Sequence, residues 1–211
     1  MMRNKGFTLI EISIAIVIIG LLIAGVIKGS GLIEGAKVNN AITLAQDLSV
    51  AVNAFKQQYH LLPGDMAVTA ADFPTVSAGC QYTGGLTNNG LIDTLAESAC
   101  VPEVLFLAGL AKVDRDAGVP VFKSYYGQAR VKAVSQSNVS GSGFAASITH
   151  VVEFENLPCD VVQQIDRKID DDMLISGKAR ANISIVNFVP DPGNPNTCAA
   201  GSVVPFYAVA L

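Results

Sequence analysis

The residues best able to do chemistry in this chain are two histidines, four cysteines and a group of aspartates near residue 170. His60 falls at the end of a helical pattern and His150 inside a strand pattern. No G-x-S-x-G elbow accompanies either, so no nucleophile and base are brought together. Cys80, Cys100, Cys159 and Cys198 show no C-x-x-C spacing, and neither histidine lies near a cysteine, which argues against zinc and for disulfides. Asp166, Asp170, Asp171 and Asp172 set three consecutive carboxylates at the C-terminal end of an expected helix, where they oppose its dipole. Arg167, Lys168 and Lys178 are the nearest compensating charges. A bound Ca²⁺ is the sharper alternative, although the spacing is not that of an EF-hand loop. Gly141-Ser142-Gly143-Phe144-Ala145-Ala146 has the letters of a dinucleotide fingerprint. It follows a polar run and leads into a strand, so it reads as a hairpin loop. These residues point to a protein that is not an enzyme and that carries no cofactor.

The elements that position these side chains belong to a chain of 211 residues, half of them hydrophobic and only 15% charged, with a mean hydropathy of +0.42. That balance excludes a disordered tail and places part of the chain in lipid. Acids outnumber bases by 18 to 14 with no basic block, so there is no electrostatic footprint for nucleic acid. The apolar excess is concentrated between Phe7 and Ile27, where Glu11 is the single ionisable side chain and Arg3 and Lys5 precede the run. At about 1.5 Å per residue the run covers roughly 30 Å, enough to cross a bilayer with its N-terminus in the cytoplasm. A cleavable secretory signal competes with this reading, but no A-x-A site follows. An ordinary single-pass anchor leaves Glu11 unexplained, because a charge inside the hydrocarbon costs roughly 2.5–3.5 kcal/mol on insertion scales.

Lys5-Gly6-Phe7-Thr8-Leu9-Ile10-Glu11 resembles the processing site of type IV pilins and type II secretion pseudopilins. The resemblance implies that a leader, residues 1–6, is removed on the cytoplasmic side after Gly6 by a prepilin peptidase. Phe7 then becomes the N-methylated first residue. Glu11 falls where the family carries its buried glutamate, so Thr8 and Glu11 become the filament-assembly residues. Loss of Arg3 and Lys5 with the leader leaves 12 of the 14 bases against 18 acids, a formal charge of -6 before the new amine is counted.

After Ile27 the helical pattern resumes: Val38, Ala41, Ile42, Ala45, Leu48, Val52, Phe55 and Tyr59 recur at three- and four-residue steps, with Asn39, Asn40, Gln46, Asp47, Asn53 and Gln57 opposite. The spacing predicts one helix over residues 7–61, about 80 Å long, with 7–27 as its transmembrane part, stopped by Leu62-Pro63-Gly64-Asp65. Gly20, Gly25, Gly29, Gly31 and Gly35 are places where it can bend or approach another helix closely; many pilins have a proline in this stretch and this chain has none. Residues 62–211 form the expected periplasmic head. Pro102–Ala111 reads as a short helix with its proline in the first turn, and Pro158–Ile169 as a further helix. Strands are expected over Val119–Tyr126, Gln128–Val134, Ser147–Phe154, Ala181–Val189 and Ser202–Ala210. The cysteines allow three pairings; Cys80 with Cys100 and Cys159 with Cys198 is favoured because each closes a modest loop. The second of these resembles the bridge that brackets the C-terminal loop of many pilins.

The fold expected is therefore α+β and pilin-like: a long N-terminal helix packed on a mainly antiparallel sheet. The function implied is that of a structural subunit, pilin or minor pilin or pseudopilin, in a type IV pilus-like filament. Its implied partners are prepilin peptidase, other pilin or pseudopilin subunits and an inner-membrane assembly platform. The precursor would sit in the inner membrane as a single pass, and the assembled form in a periplasmic or cell-surface filament. A pseudopilin of a type II secretion system is the alternative within the family. From another class, a membrane-anchored periplasmic binding domain that never polymerises also fits the anchor and head.

Overall fold

A computed structural model describes residues 7–81, 88–139, 143–182 and 190–211. Helix α1 runs from Leu9 to Tyr59 without a break. The chain divides into two compact units, residues 1–37 and residues 38–211. In the first unit α1 is almost wholly apolar as far as Ile27, and its described side chains are almost all exposed. In the second it is one-sided, and Val38, Ala41, Ala45, Leu48, Val52 and Phe55 are buried in the head's main core, the positions that the three- and four-residue spacing predicts. His60 takes a left-handed conformation and donates its N–H to the Lys56 carbonyl (2.9 Å), which ends the helix.

The turn that follows depends on Gly64. Its φ is +91°, and a Cβ there would run into the Glu97 carbonyl oxygen and the Val101 side chain. Asp65, fully buried, then accepts the N–H groups of Asn89 (3.0 Å) and Gly90 (2.8 Å). This ties the segment after α1 to the segment before α2 (Leu95–Leu107). Helix α2 begins with a capping box: Thr94 Oγ1 accepts the Glu97 N–H (3.1 Å), and the Glu97 carboxylate accepts those of Thr94 (2.9 Å) and Asp93 (2.8 Å). Pro102 therefore lies inside α2 and not in its first turn, and Cys100-Val101-Pro102 is helix rather than turn. A proline in a helix leaves one carbonyl without its bond, but the cap and the burial of Cys100, Val101, Pro102, Val104 and Leu105 outweigh that loss. Gly109, at φ +70°, closes α2 as its Leu110 neighbour donates back to the Leu105 carbonyl (2.9 Å).

Among the described residues the sheet has six antiparallel strands. In chain order these are β1 (Asp114–Asp116), β2 (Val119–Ser124), β3 (Gly127–Ala133), β4 (His150–Pro158), β5 (Ala179–Ala181) and β8 (Val203–Ala210), and their spatial order is β1-β2-β3-β4-β8-β5. Two further strands, β6 (Pro190–Asp191) and β7 (Asn194–Cys198), pair apart from it. Helix α3 (Cys159–Ile169) follows β4 directly. Of the expected strand Ala181–Val189 only Ala181 lies in β5, and residues 183–189 fall outside the described residues. Alternation in β4 sends Val152 and Phe154 to the main core and Val151 to a second apolar cluster with Val139 and Ala208. The β3–β4 connection folds back to supply Val139, Phe144 and Ile148 to that cluster.

Disulfides join Cys80 to Cys100 and Cys159 to Cys198. The first ties the segment after α1 to α2, and the second ties α3 to β7. Among the described residues no cysteine is free.

Two buried titratable groups give the head opposing pH responses. Asp166 on α3 is fully buried; its Oδ1 accepts the Tyr207 hydroxyl (3.0 Å), while its Oδ2 has no partner. Burial, with Asp170 and Asp171 nearby, raises its pKa from 3.8 to about 6. His150 accepts the Ile92 N–H on Nε2 (3.1 Å), and burial, with the charge of Lys56, lowers its pKa. The folded state binds a proton at Asp166 more tightly than the unfolded chain does, so its contribution is present below pH 4 and lost as pH rises through 6. The His150 contribution runs the other way, present above the ordinary pKa of 6.5 and lost as pH falls.

Urea unfolding of the full chain in detergent should show that Gly64→Ala costs roughly 2–4 kcal/mol, the sum of left-handed strain and the clash with a backbone carbonyl. Asp166→Asn, which keeps an acceptor for Tyr207, should raise stability at pH 7 by up to about 3 kcal/mol. The gain should vanish at pH 4, leaving a decline toward acid to which His150 contributes. An equal gain at both pH values would show that charge burial at Asp166 is not the cause.

Candidate processing and assembly segment

The start of α1 is built by four residues, Thr8-Leu9-Ile10-Glu11. Thr8 Oγ1 accepts the Glu11 N–H (3.3 Å), and Glu11 Oε2 accepts both the Thr8 N–H (2.8 Å) and the Thr8 hydroxyl (2.7 Å). This is a capping box, in which two of the orphan donors of a helix start are satisfied reciprocally. Its signal, Thr-x-x-Glu ahead of an apolar run, is present in the sequence and recurs as Thr94-Leu95-Ala96-Glu97 at α2. Thr8 and Glu11 stand out in the sequence through the resemblance, whereas their capping role, and that of Thr94 and Glu97, is hydrogen bonding to backbone and involves no proton transfer.

Beyond the box the helix presents apolar side chains in every direction: Leu21 is 70% exposed, Leu22 64% and Val26 72%. A stretch of it reaches a mean hydropathy of 2.8 with no residue buried, long and apolar enough to cross a membrane. Gly20, Gly25, Gly31 and Gly35 have nothing of the chain within 4 Å of a would-be Cβ. They leave shallow gaps on a surface already stripped of polar groups, and the helix does not unwind at them. Gly6 lies outside the described residues, and Phe7 stands just ahead of the cap.

The other candidates are not gathered into a site. Asp166, Asp170, Asp171 and Asp172, the candidate calcium group, have separate partners within the head, Asp166 being the one bonded to Tyr207. Asp170 accepts the Ala179 N–H (2.7 Å), Asp171 the Met173 N–H (3.1 Å) and the Ser176 hydroxyl (2.5 Å), and Asp172 pairs with Arg167 (3.2 Å). Backbone amides, a hydroxyl and one arginine answer the charge at the end of α3, while Lys168 instead donates to Asn39 (2.8 Å). Among the described residues no group of three or more His, Cys, Asp or Glu side chains is placed to hold a metal ion. His60 and His150 belong to the end of α1 and to β4 respectively. Gly141 and Ser142 lie outside the described residues, in the connection between the antiparallel strands β3 and β4.

A family model for the prokaryotic N-terminal methylation motif matches residues 1–27. Comparisons of the chain with curated proteins and with solved structures give no match. The matched segment contains Gly6, Phe7, the Thr8–Glu11 cap and the apolar helix in the order in which processing and anchoring require them. Residues 1–27 thus carry the prepilin-type signature found in type IV pilins and pseudopilins, the signal that prepilin peptidase processes, at the start of a helix long and apolar enough to cross a membrane.

Proposed function

We propose that the chain is a structural, non-enzymatic subunit of a type IV pilus-like filament. It is made in the inner membrane with its N-terminus in the cytoplasm, cleaved after Gly6 and methylated on Phe7. It is then packed with other subunits through residues 7–27 by a membrane assembly platform, into a periplasmic or surface filament. The observation that carries this reading is the methylation motif on a helix that is apolar on every side and unburied within its own chain. In a single-pass anchor every side needs only lipid, and an acid in the first turn is a cost. In a bundle of such helices the acid has a use.

That use follows from the chemistry at Glu11. Cleavage creates an amine on Phe7 with a reference pKa of about 8, largely charged at neutral pH, next to the positive end of the helix dipole. The Glu11 carboxylate, already turned toward the Thr8 N–H, is the group within the same turn that can offset it, in its own subunit or in a staggered neighbour. A subunit docked out of register would leave two unpaired charges in a low-dielectric core at several kcal/mol, so the pair acts as a register device.

Mass spectrometry of the membrane or filament fraction should find the mature N-terminus at Phe7 with one methyl group. An intact leader or cleavage beyond Ile27 sinks this reading. The roles of Glu11 as cap and as charge are separable, because Gln serves at the third position of a capping box and Val does not. With charge setting the register, Glu11→Gln and Glu11→Val should both lower the subunit's share in sheared filament by tenfold or more (~1.4 kcal/mol or above) while leaving membrane insertion and leader cleavage intact. Normal incorporation of the Gln variant would reduce Glu11 to a helix cap.

A further inference from the structure

Outside the N-terminal segment, the densest polar cluster in the head gathers on a single carboxylate. Glu153 of β4 is fully buried. Its Oε1 accepts Lys132 Nζ (2.6 Å) and Asn138 Nδ2 (2.9 Å), and its Oε2 accepts the Ser137 hydroxyl (2.7 Å) and the Asn138 N–H (2.6 Å). Lys132, on β3, is 8% exposed. A lysine amine and an asparagine carboxamide therefore meet on one oxygen of a buried acid, within two hydrogen bonds of each other. They lie beside the apolar cluster of Val139, Val151 and Ala208. Backbone bonds fix the geometry. Lys132 stands opposite Val151 in the β3–β4 ladder, the Ser137 N–H returns to the Ala133 carbonyl (3.0 Å), and Asn182 donates its side-chain amide to the Asn138 carbonyl.

We propose that Lys132 and Asn138 form an intramolecular isopeptide bond, with Glu153 as the proton carrier. The reaction is a transamidation and needs no oxidant or co-reactant. A proton passes from Lys132 Nζ to Glu153, a transfer that replaces a buried ion pair by two neutral groups. The free amine attacks Asn138 Cγ, forming the new C–N bond. Glu153 returns the proton to Nδ2, the Cγ–Nδ2 bond breaks, and ammonia leaves. The nitrogen retained by the amide is that of Lys132; it sheds a second proton after the attack, which the departing ammonia takes up, so the positive charge of the lysine leaves as ammonium. Convergence on one carboxylate supplies the proximity that turns a sluggish amide exchange into an intramolecular step. Asn138 is exposed, which gives the ammonia a path to water. The bond would staple the short turn Val134–Gln136 to the end of β3 and hold the β3–β4 connection over the second apolar cluster.

The test is the mass of the full-length chain purified in detergent. After allowance for the N-terminal processing found and for two disulfides, it should be lower than the sequence mass by one ammonia. Trypsin should no longer cut after Lys132, and a branched peptide should link Lys132 to Asn138. A succinimide at Asn138 also loses ammonia, so Lys132→Arg separates the two: the deficit should disappear in this variant, whereas a succinimide would persist. Glu153→Gln should retain the full mass even where it folds, since the proton carrier is gone. A wild-type chain at full mass, with tryptic peptides ending at Lys132, overturns the proposal.

Discussion

The head rests on one constraint, the need to cover the apolar stripe that α1 carries from Val38 to Phe55. Leu48 and Phe55 are among the largest fully buried side chains of the molecule, and each fully buried residue of this kind contributes about 1.5–3 kcal/mol relative to exposure. A helix with such a stripe cannot stand in water by itself, and a sheet with one apolar face cannot either. Their shared core takes in Phe122, Ala129 and Val131 from β2 and β3, Phe154 from β4, Val104 and Leu105 from α2, and Ile165 from α3. The polar side of the same helix is used for positioning: Asn40 accepts the Tyr125 N–H at the β2–β3 turn (3.3 Å) and Asn39 accepts from Lys168 at the end of α3. Two asparagines one residue apart thus bond the helix to elements on different parts of the head.

Around that core, carboxylates hold backbone amides where the chain reverses. Asp65, Glu97, Asp170 and Glu153 each accept at least one N–H, and three of them are fully buried. A buried amide without a partner costs a sizeable part of the stability of a domain, and a charged acceptor makes a stronger bond than a neutral one. These four acids therefore have a structural use that calls for no cationic partner from outside the chain. Asp166 lacks that support on one side: among the described residues its second oxygen has no hydrogen-bond partner, and burial raises its pKa to about 6.

Much of this was legible in the sequence. The stripe from Val38 to Tyr59 has a strict helical period, and the strands Val119–Ser124 and Val203–Ala210 are rich in β-branched and aromatic residues, so periodicity and composition agree with the outcome there. Helix α2 begins at Leu95 and not at Pro102, because a proline is a local penalty that burial of six neighbours overrides, while the capping box of Thr94-Leu95-Ala96-Glu97 marks where the helix starts. Strand β1, Asp114-Arg115-Asp116, has no apolar signal at all. It exists because the edge of a sheet gains backbone bonds from β2 and tolerates charged side chains, which also discourage further pairing. The cluster at Glu153 is invisible in sequence for another reason: Lys132, Asn138 and Glu153 converge only once the register of β3 on β4 is set.

The two capping boxes show how one local signal acquires different consequences from its surroundings. At α2 the Thr94–Glu97 pair is enclosed, and Glu97 is fully buried beside the Gly64 turn, so its whole effect is on the stability of the head. At α1 the Thr8–Glu11 pair stands at the end of an exposed, mainly apolar surface, where the nearby Ser13 hydroxyl turns back to the Ile10 carbonyl (2.9 Å). In lipid the orphan N–H groups of a helix start are several-fold costlier than in water, because no solvent can replace the missing acceptors. An acid at this one position offsets that cost before processing, through the Thr8 amide. Under the proposed cleavage it remains within a turn of the new amine on Phe7. The charge that makes the segment a poor ordinary anchor is thus in the place where a helix entering lipid, and later a helix entering a bundle, most needs an acceptor.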